Sequence, residues 1–110
     1  MKKDDYFVVS YKILAYLYEC LKAGEEPDME VISAGALGIN EKYWHCIMRS
    51  QFENGRISGG KYTPDYAGGV FLGIRHPVIT EAGIEFLQEN SSMNRAKKFL
   101  TDIKAMVPGL

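Results

Sequence analysis

The sequence predicts a mainly helical α+β domain: three helices closed by a β-hairpin and followed by further helix. Three observations predict it. Apolar residues recur at three- and four-residue steps between residues 6 and 23 and again between 40 and 54. From Gly55 to Ile74 the helical period gives way to short β-capable runs separated by glycine and proline. A capped helix then restarts at Thr80. The order helix, short helix, turn, helix, hairpin, helix is the winged helix-turn-helix arrangement, a three-helix core with a two- or three-stranded wing and C-terminal helices.

The first helix is expected from Tyr6 to Ala23, with Ile13, Leu14, Leu17, Tyr18 and Leu21 as its apolar face, Gly24 as its stop and Pro27 barring continuation. Over residues 29–39, Ser33 caps a short helix with Ile32 and Leu37 as a hydrophobic staple, while Met29 to Ile32 is open to either strand or helix. Gly38-Ile39-Asn40 makes a tight turn into a stronger helix. Asn40 caps it, Glu41 sits at the positive end of its dipole, Ile39 staples to Trp44, and Trp44, Ile47, Met48 and Phe52 form the apolar stripe. The opposite, exposed face carries Lys42, His45, Cys46, Arg49 and Ser50. The β-capable runs are 56–62 and 69–74, joined by a long tip at 63–68. Thr80 caps the next helix, and Gly83 lets it approach a neighbour closely. Asn90-Ser91-Ser92 breaks the pattern before a final helix over about 92–107.

At 110 residues the chain has the size of one domain, read as 1–110 with a core over about 6–90. Hydrophobic residues at 46% and charged residues at 25% are globular values, which excludes wholesale disorder. The opening Met1-Lys2-Lys3-Asp4-Asp5 is too polar for a secretion signal, and no apolar run approaches the ~20 residues of a membrane span, so a cytoplasmic protein with no membrane partner is expected. Cys20, Cys46, His45 and His76 lack metal-ligand spacing, so free thiols, no metal and no cofactor are expected. Net charge is −1, against indiscriminate coating of nucleic acid. The charge is unevenly spread. Residues 40–62 carry four basic against two acidic residues and 92–110 four against one, while 1–39 carries four against seven and 63–91 one against four.

Gly55-Arg56-Ile57-Ser58-Gly59-Gly60-Lys61 matches the glycine spacing of a phosphate-binding loop. That loop needs a strand before it, a helix after it and a Ser or Thr for magnesium. Here a helix precedes, Tyr62 replaces the hydroxyl residue and Pro64 obstructs a following helix. The stretch is read as a wing. His45 and Cys46 are neighbours in sequence but diverge on a helix, so no activated nucleophile is expected, and no enzyme or small-molecule substrate.

The candidate sites are therefore binding sites. Lys42, His45 and Arg49, with Ser50, occupy the helix face that enters the major groove of DNA in the helix-turn-helix mode; the alternative is an ordinary solvated face. Arg56, Lys61 and Tyr62 lie on the wing, where they either touch phosphates or keep an edge strand from pairing with other chains. In the final helix Met93, Ala96, Leu100, Ile103 and Val107 form a seam that either packs on the first helix or joins two copies in a homodimer.

Gly38-Ile39, Tyr43-Trp44, Gly55-Arg56-Ile57, Ile79-Thr80-x-x-Gly83-Ile84-x-Phe86-Leu87 and Glu89-Asn90-Ser91-Ser92-Met93 together resemble the YjcQ family, small winged-helix proteins of bacteria and their prophages. The similarity runs from about residue 13 to 109. It implies a winged-helix fold and a DNA-binding role. One position departs from many winged-helix proteins: Gln51 stands where they place leucine, beside Phe52, leaving the facing of the third helix open. The expected function is double-stranded DNA binding by a small transcriptional regulator. A protein-interaction domain on the same scaffold is the alternative, suggested by the near-neutral charge and the seven tyrosines.

Overall fold

The structure, a computed structural model, describes residues 5–63, 70–72 and 76–91. Among the described residues it is mainly helical, with four α-helices and a small antiparallel β component: α1 (Tyr6–Ala23), a 3-10 turn (Met29–Ile32), α2 (Ala34–Leu37), α3 (Glu41–Glu53), strands β1 (Ile57–Ser58), β2 (Lys61–Thr63), β3 (Val70–Leu72) and β4 (Val78–Ile79), then α4 (Glu81–Glu89). The expected final helix over 92–107 and the expected hairpin tip at 63–68, apart from Thr63, lie outside the described residues.

Local chemistry sets the helix boundaries. The Asp5 carboxylate accepts from the Phe7 amide at 3.1 Å to start α1. At the other end, Gly24 and Glu25 return their amides to the Leu21 and Cys20 carbonyls, closing the last turn. Ser33 accepts from Ala36 at 3.2 Å to cap α2. Asn40 accepts from Lys42 and Tyr43 at 2.7 and 3.2 Å to cap α3. The segment 29–32, open between strand and helix, forms a 3-10 turn capped by Asp28, whose carboxylate accepts from Glu30 at 3.0 Å. Asp28 also donates its amide to the Tyr16 hydroxyl at 2.8 Å, which fastens this turn to α1.

The hairpin consists of two short ladders. Ile57 pairs with Ile79 and Ser58 with Val78; farther out, Lys61 pairs with Leu72, Tyr62 with Phe71 and Thr63 with Val70. Two residues separate β1 from β2, but five separate β3 from β4, so the return arm carries the extra chain. β4 is not legible in the sequence, because a two-residue strand carries no alternation to detect. Gly59, at φ +89°, lies where a methyl group would run into the His76 backbone carbonyl, so the two arms come together there only over a glycine.

The core gathers Ile13, Leu14, Leu17 and Cys20 of α1 with Ile32, Ile47, Met48, Ile57, Ile79, Phe86 and Leu87. Two expected faces are corrected. On α1 Ile13, Leu14 and Leu17 are buried as expected and are joined by Val9, Tyr16 and Cys20, whereas Tyr18 is half-buried and Leu21 is exposed. On α3 it runs through Ile47, Met48 and Gln51, with Phe52 only half-buried. The physical reason is the Gln51 side chain, which is fully enclosed. Its Nε2 donates to the Ser10 hydroxyl at 3.0 Å and to the Ile47 carbonyl at 3.3 Å, while Ser10 donates to the Tyr6 carbonyl at 2.8 Å. A polar pair thus does between α1 and α3 what a leucine would do by burial alone. Gln51 Oε1 has no hydrogen-bond partner.

Candidate nucleic-acid interface

The orientation of α3 is fixed from behind. Ile47 and Met48 are sealed in the core, and Trp44 donates its indole N–H to the Ile32 carbonyl at 2.7 Å. Each buried aliphatic side chain of this size contributes about 1.5–3 kcal/mol by leaving water. With that side anchored, the 3.6-residue repeat turns Lys42, Cys46, Arg49 and Glu53 outward, and all four are exposed.

The candidate residues differ in what they meet. Lys42 stands exposed in the first turn of α3. His45 is half-buried, its ring edge-on to Trp44 with centroids 5.2 Å apart. Arg49 places its Nε 2.8 Å from a carboxylate oxygen of Glu53, one turn on, with both side chains about half exposed (48% and 57%). Ser50 is half-buried and accepts from the Asn54 side-chain amide at 3.0 Å in the helix-ending turn. Arg56 is half-buried, with its guanidinium carbon 4.7 Å from the Phe86 ring centroid. Cation–π attraction therefore holds it against α4. Lys61 and Tyr62 occupy consecutive positions of β2, opposite Leu72 and Phe71. The seam residues Met93, Ala96, Leu100, Ile103 and Val107 lie outside the described residues.

The structure thus brings Lys42, His45 and Arg49 to neighbouring positions on one helix flank and diverts Arg56 toward α4. Electrostatically the flank is mixed, since Glu41 and Glu53 accompany Lys42 and Arg49. The hairpin leaves the end of α3 directly: Arg56 returns its amide to the Gln51 carbonyl at 2.9 Å, and β1 begins at the next residue.

The YjcQ protein family matches residues 11–106. This chain belongs to that family. No curated protein and no solved structure matches it. The YjcQ match takes in every candidate residue on α3 and the hairpin, all of α4, and the C-terminal seam except Val107.

Away from the α3 flank, three ionisable groups in the interior of this YjcQ-family chain are perturbed. Burial pushes the Tyr16 hydroxyl up to about 12, with the Asp28 amide opposing the shift, and it also pushes the Tyr11 hydroxyl and the Cys20 thiol upward. All three are neutral at physiological pH, and none adjoins the α3 flank. Among the described residues, no group of three or more His, Cys, Asp or Glu side chains converges on a metal position. No described helix is long and apolar enough to cross a membrane.

Two features of the site were missed from the sequence. The Arg49–Glu53 pair has a sequence signal in its four-residue spacing. The Arg56–Phe86 contact has none, because thirty positions separate the partners and only the docking of α4 joins them.

Proposed function

We propose that this YjcQ-family chain is a winged helix-turn-helix protein that binds double-stranded DNA as a small transcriptional regulator of bacterial or prophage origin. In this reading α3 enters the major groove and the hairpin approaches the backbone. The supporting observation is the stripe of Lys42, Cys46 and Arg49, exposed on a helix whose other side is clamped to the core. Such a helix can enter a groove without repacking the domain. Lys42 and Arg49 supply a phosphate contact and a donor for a guanine edge, respectively. The reading assigns no catalytic step.

Binding is tested by fluorescence anisotropy with fragments of the native genome, starting at low salt. Affinity falls steeply as salt rises if several phosphates are engaged. Absence of binding at the lowest salt overturns the proposal. Lys42→Ala and Arg49→Ala each weaken binding; unchanged affinity in both removes this flank from the interface.

A second reading, a protein-interaction domain on the same scaffold, is favoured by the Arg49–Glu53 pair, which offsets positive charge where DNA would lie. Glu53→Gln separates the two. Relieving that carboxylate strengthens DNA binding in the first reading and leaves nucleic acid unbound in the second.

A further inference from the structure

Where the last turns of α1 meet β4, a mostly apolar cleft of about 220 Å³ opens to the surface. Buried Leu17, Cys20 and Pro77 form its inner wall, and Leu21 and Val78, 47% and 39% exposed, form its lips. Exposed apolar surface rimmed by polar residues is where ligands and partners bind. Among the described residues, the charged side chains on the lining are Glu25 and Glu26, with no Lys or Arg. Gly24, which caps α1, lines the same cleft, so the negative end of that helix dipole adds to the two carboxylates. The walls are held in place. Glu25 returns its amide to the Cys20 carbonyl at 3.0 Å, and Asp28 donates its amide to the Tyr16 hydroxyl at 2.8 Å. The Glu26 carboxylate lies 3.0 Å from His76 Nδ1, on the arm that leads into β4. Such a cleft spares a ligand the cost of ordering it. The Cys20 thiol, pushed up first by burial and then by the charges of Glu19 and Glu25, is neutral and leaves the inner wall uncharged.

We propose that this cleft binds a small aliphatic ammonium ion, its carbon chain against Leu17, Leu21 and Val78 and its charged nitrogen at Glu25 and Glu26. The volume sets the length of the chain. An apolar cavity of about 150 Å³ accommodates benzene, so about 220 Å³ takes an aliphatic chain of about six carbons. The charge sets the head group. Two carboxylates and a helix C-terminus at the mouth attract a cation and repel a carboxylate or a phosphate. Glu26 shares its carboxylate with His76, so Glu25 is the principal partner of the ammonium. No run of the sequence signals this site, because Leu17 and Val78 are far apart in the chain and meet only through the packing of α1 on β4. Neither Lys42 nor Arg49 lines it, and it does not rest on the DNA-binding reading.

The experiment titrates the full chain, its leucine and valine methyl groups labelled for NMR, with n-butylammonium, n-hexylammonium, n-hexanol and hexanoate. We expect n-hexylammonium to shift the Leu17, Leu21 and Val78 methyl signals saturably and to bind tighter than n-butylammonium by about fourfold per methylene. It should also bind about threefold tighter than n-hexanol, a neutral chain of the same length, with hexanoate weaker than both. Glu25→Gln, at an exposed position, removes the advantage of ammonium over alcohol and leaves n-hexanol binding unchanged, a split that loss of structure does not produce. Absence of a saturable shift at these methyl groups with n-hexylammonium overturns the proposal. So does equal or tighter binding of n-hexanol or hexanoate, or a preference for ammonium that survives Glu25→Gln combined with Glu26→Gln. The titration is read on the protein alone, so its outcome is separate from whether the chain binds DNA.

Discussion

The two sides of α3 obey different physics. Its rear is over-determined: Ile47 and Met48 are sealed, the Trp44 indole holds the Ile32 carbonyl, and Gln51 holds Ser10 across to α1. The front, with Lys42, Cys46, Arg49 and Glu53, contacts solvent, and the Arg49–Glu53 ion pair there is local and exposed. Substitutions behind α3 therefore register in stability, and substitutions in front register in what the helix binds. A fold that separates the two can change its partner without changing its core.

The strongest way to break that contrast lies at its rear. Ile47→Ala is expected to cost about 2–5 kcal/mol in chemical denaturation, since it leaves a cavity in a closed core. A loss below 1 kcal/mol would mean that α3 is not seated as described. Trp44→Phe keeps an aromatic side chain, smaller than the indole, and leaves the Ile32 carbonyl without its donor. About 1–3 kcal/mol should be lost, with the same denaturation midpoint as the readout. Gln51→Leu sharpens the comparison. It removes a buried acceptor that has no partner, while Ser10 keeps its bond to the Tyr6 carbonyl. Stability should stay level or rise by about 1 kcal/mol. A clear loss instead would show that the Ser10–Gln51 bond contributes more than its volume in leucine. The smallest effect belongs to the front: Arg49→Ala should change stability by less than about 0.5 kcal/mol, because an exposed ion pair contributes little. Its consequence should appear in DNA anisotropy alone.

What the sequence made legible follows the range of the interactions involved. Caps at Ser33, Asn40 and Thr80 depend on atoms two or three residues away, and each forms as the local pattern implies. Membership of the YjcQ family was likewise visible in short runs of residues. The facing of α3 was not, because Gln51 is buried through a partner 41 positions distant, and polarity alone argues for the surface. The 3-10 turn at Met29–Ile32 and the strand Val78–Ile79 are shorter than any periodicity can register. On the candidate site, the outward placement of Lys42 and Arg49 followed from helix geometry. The diversion of Arg56 onto Phe86 depended on tertiary docking alone.

Thr80 ties the rear of the domain to the end of α3. Its hydroxyl donates to the Gly55 carbonyl and accepts from the Gly83 amide, and its own amide donates to the Arg56 carbonyl at 3.0 Å. Gly83 packs so close to the Arg56 carbonyl that an alanine there would collide with it. One residue therefore acts as a hinge pin through the exit of α3, the root of the hairpin and the first turn of α4. The exit of α3 and the start of α4 are joined through three hydrogen bonds on that single residue.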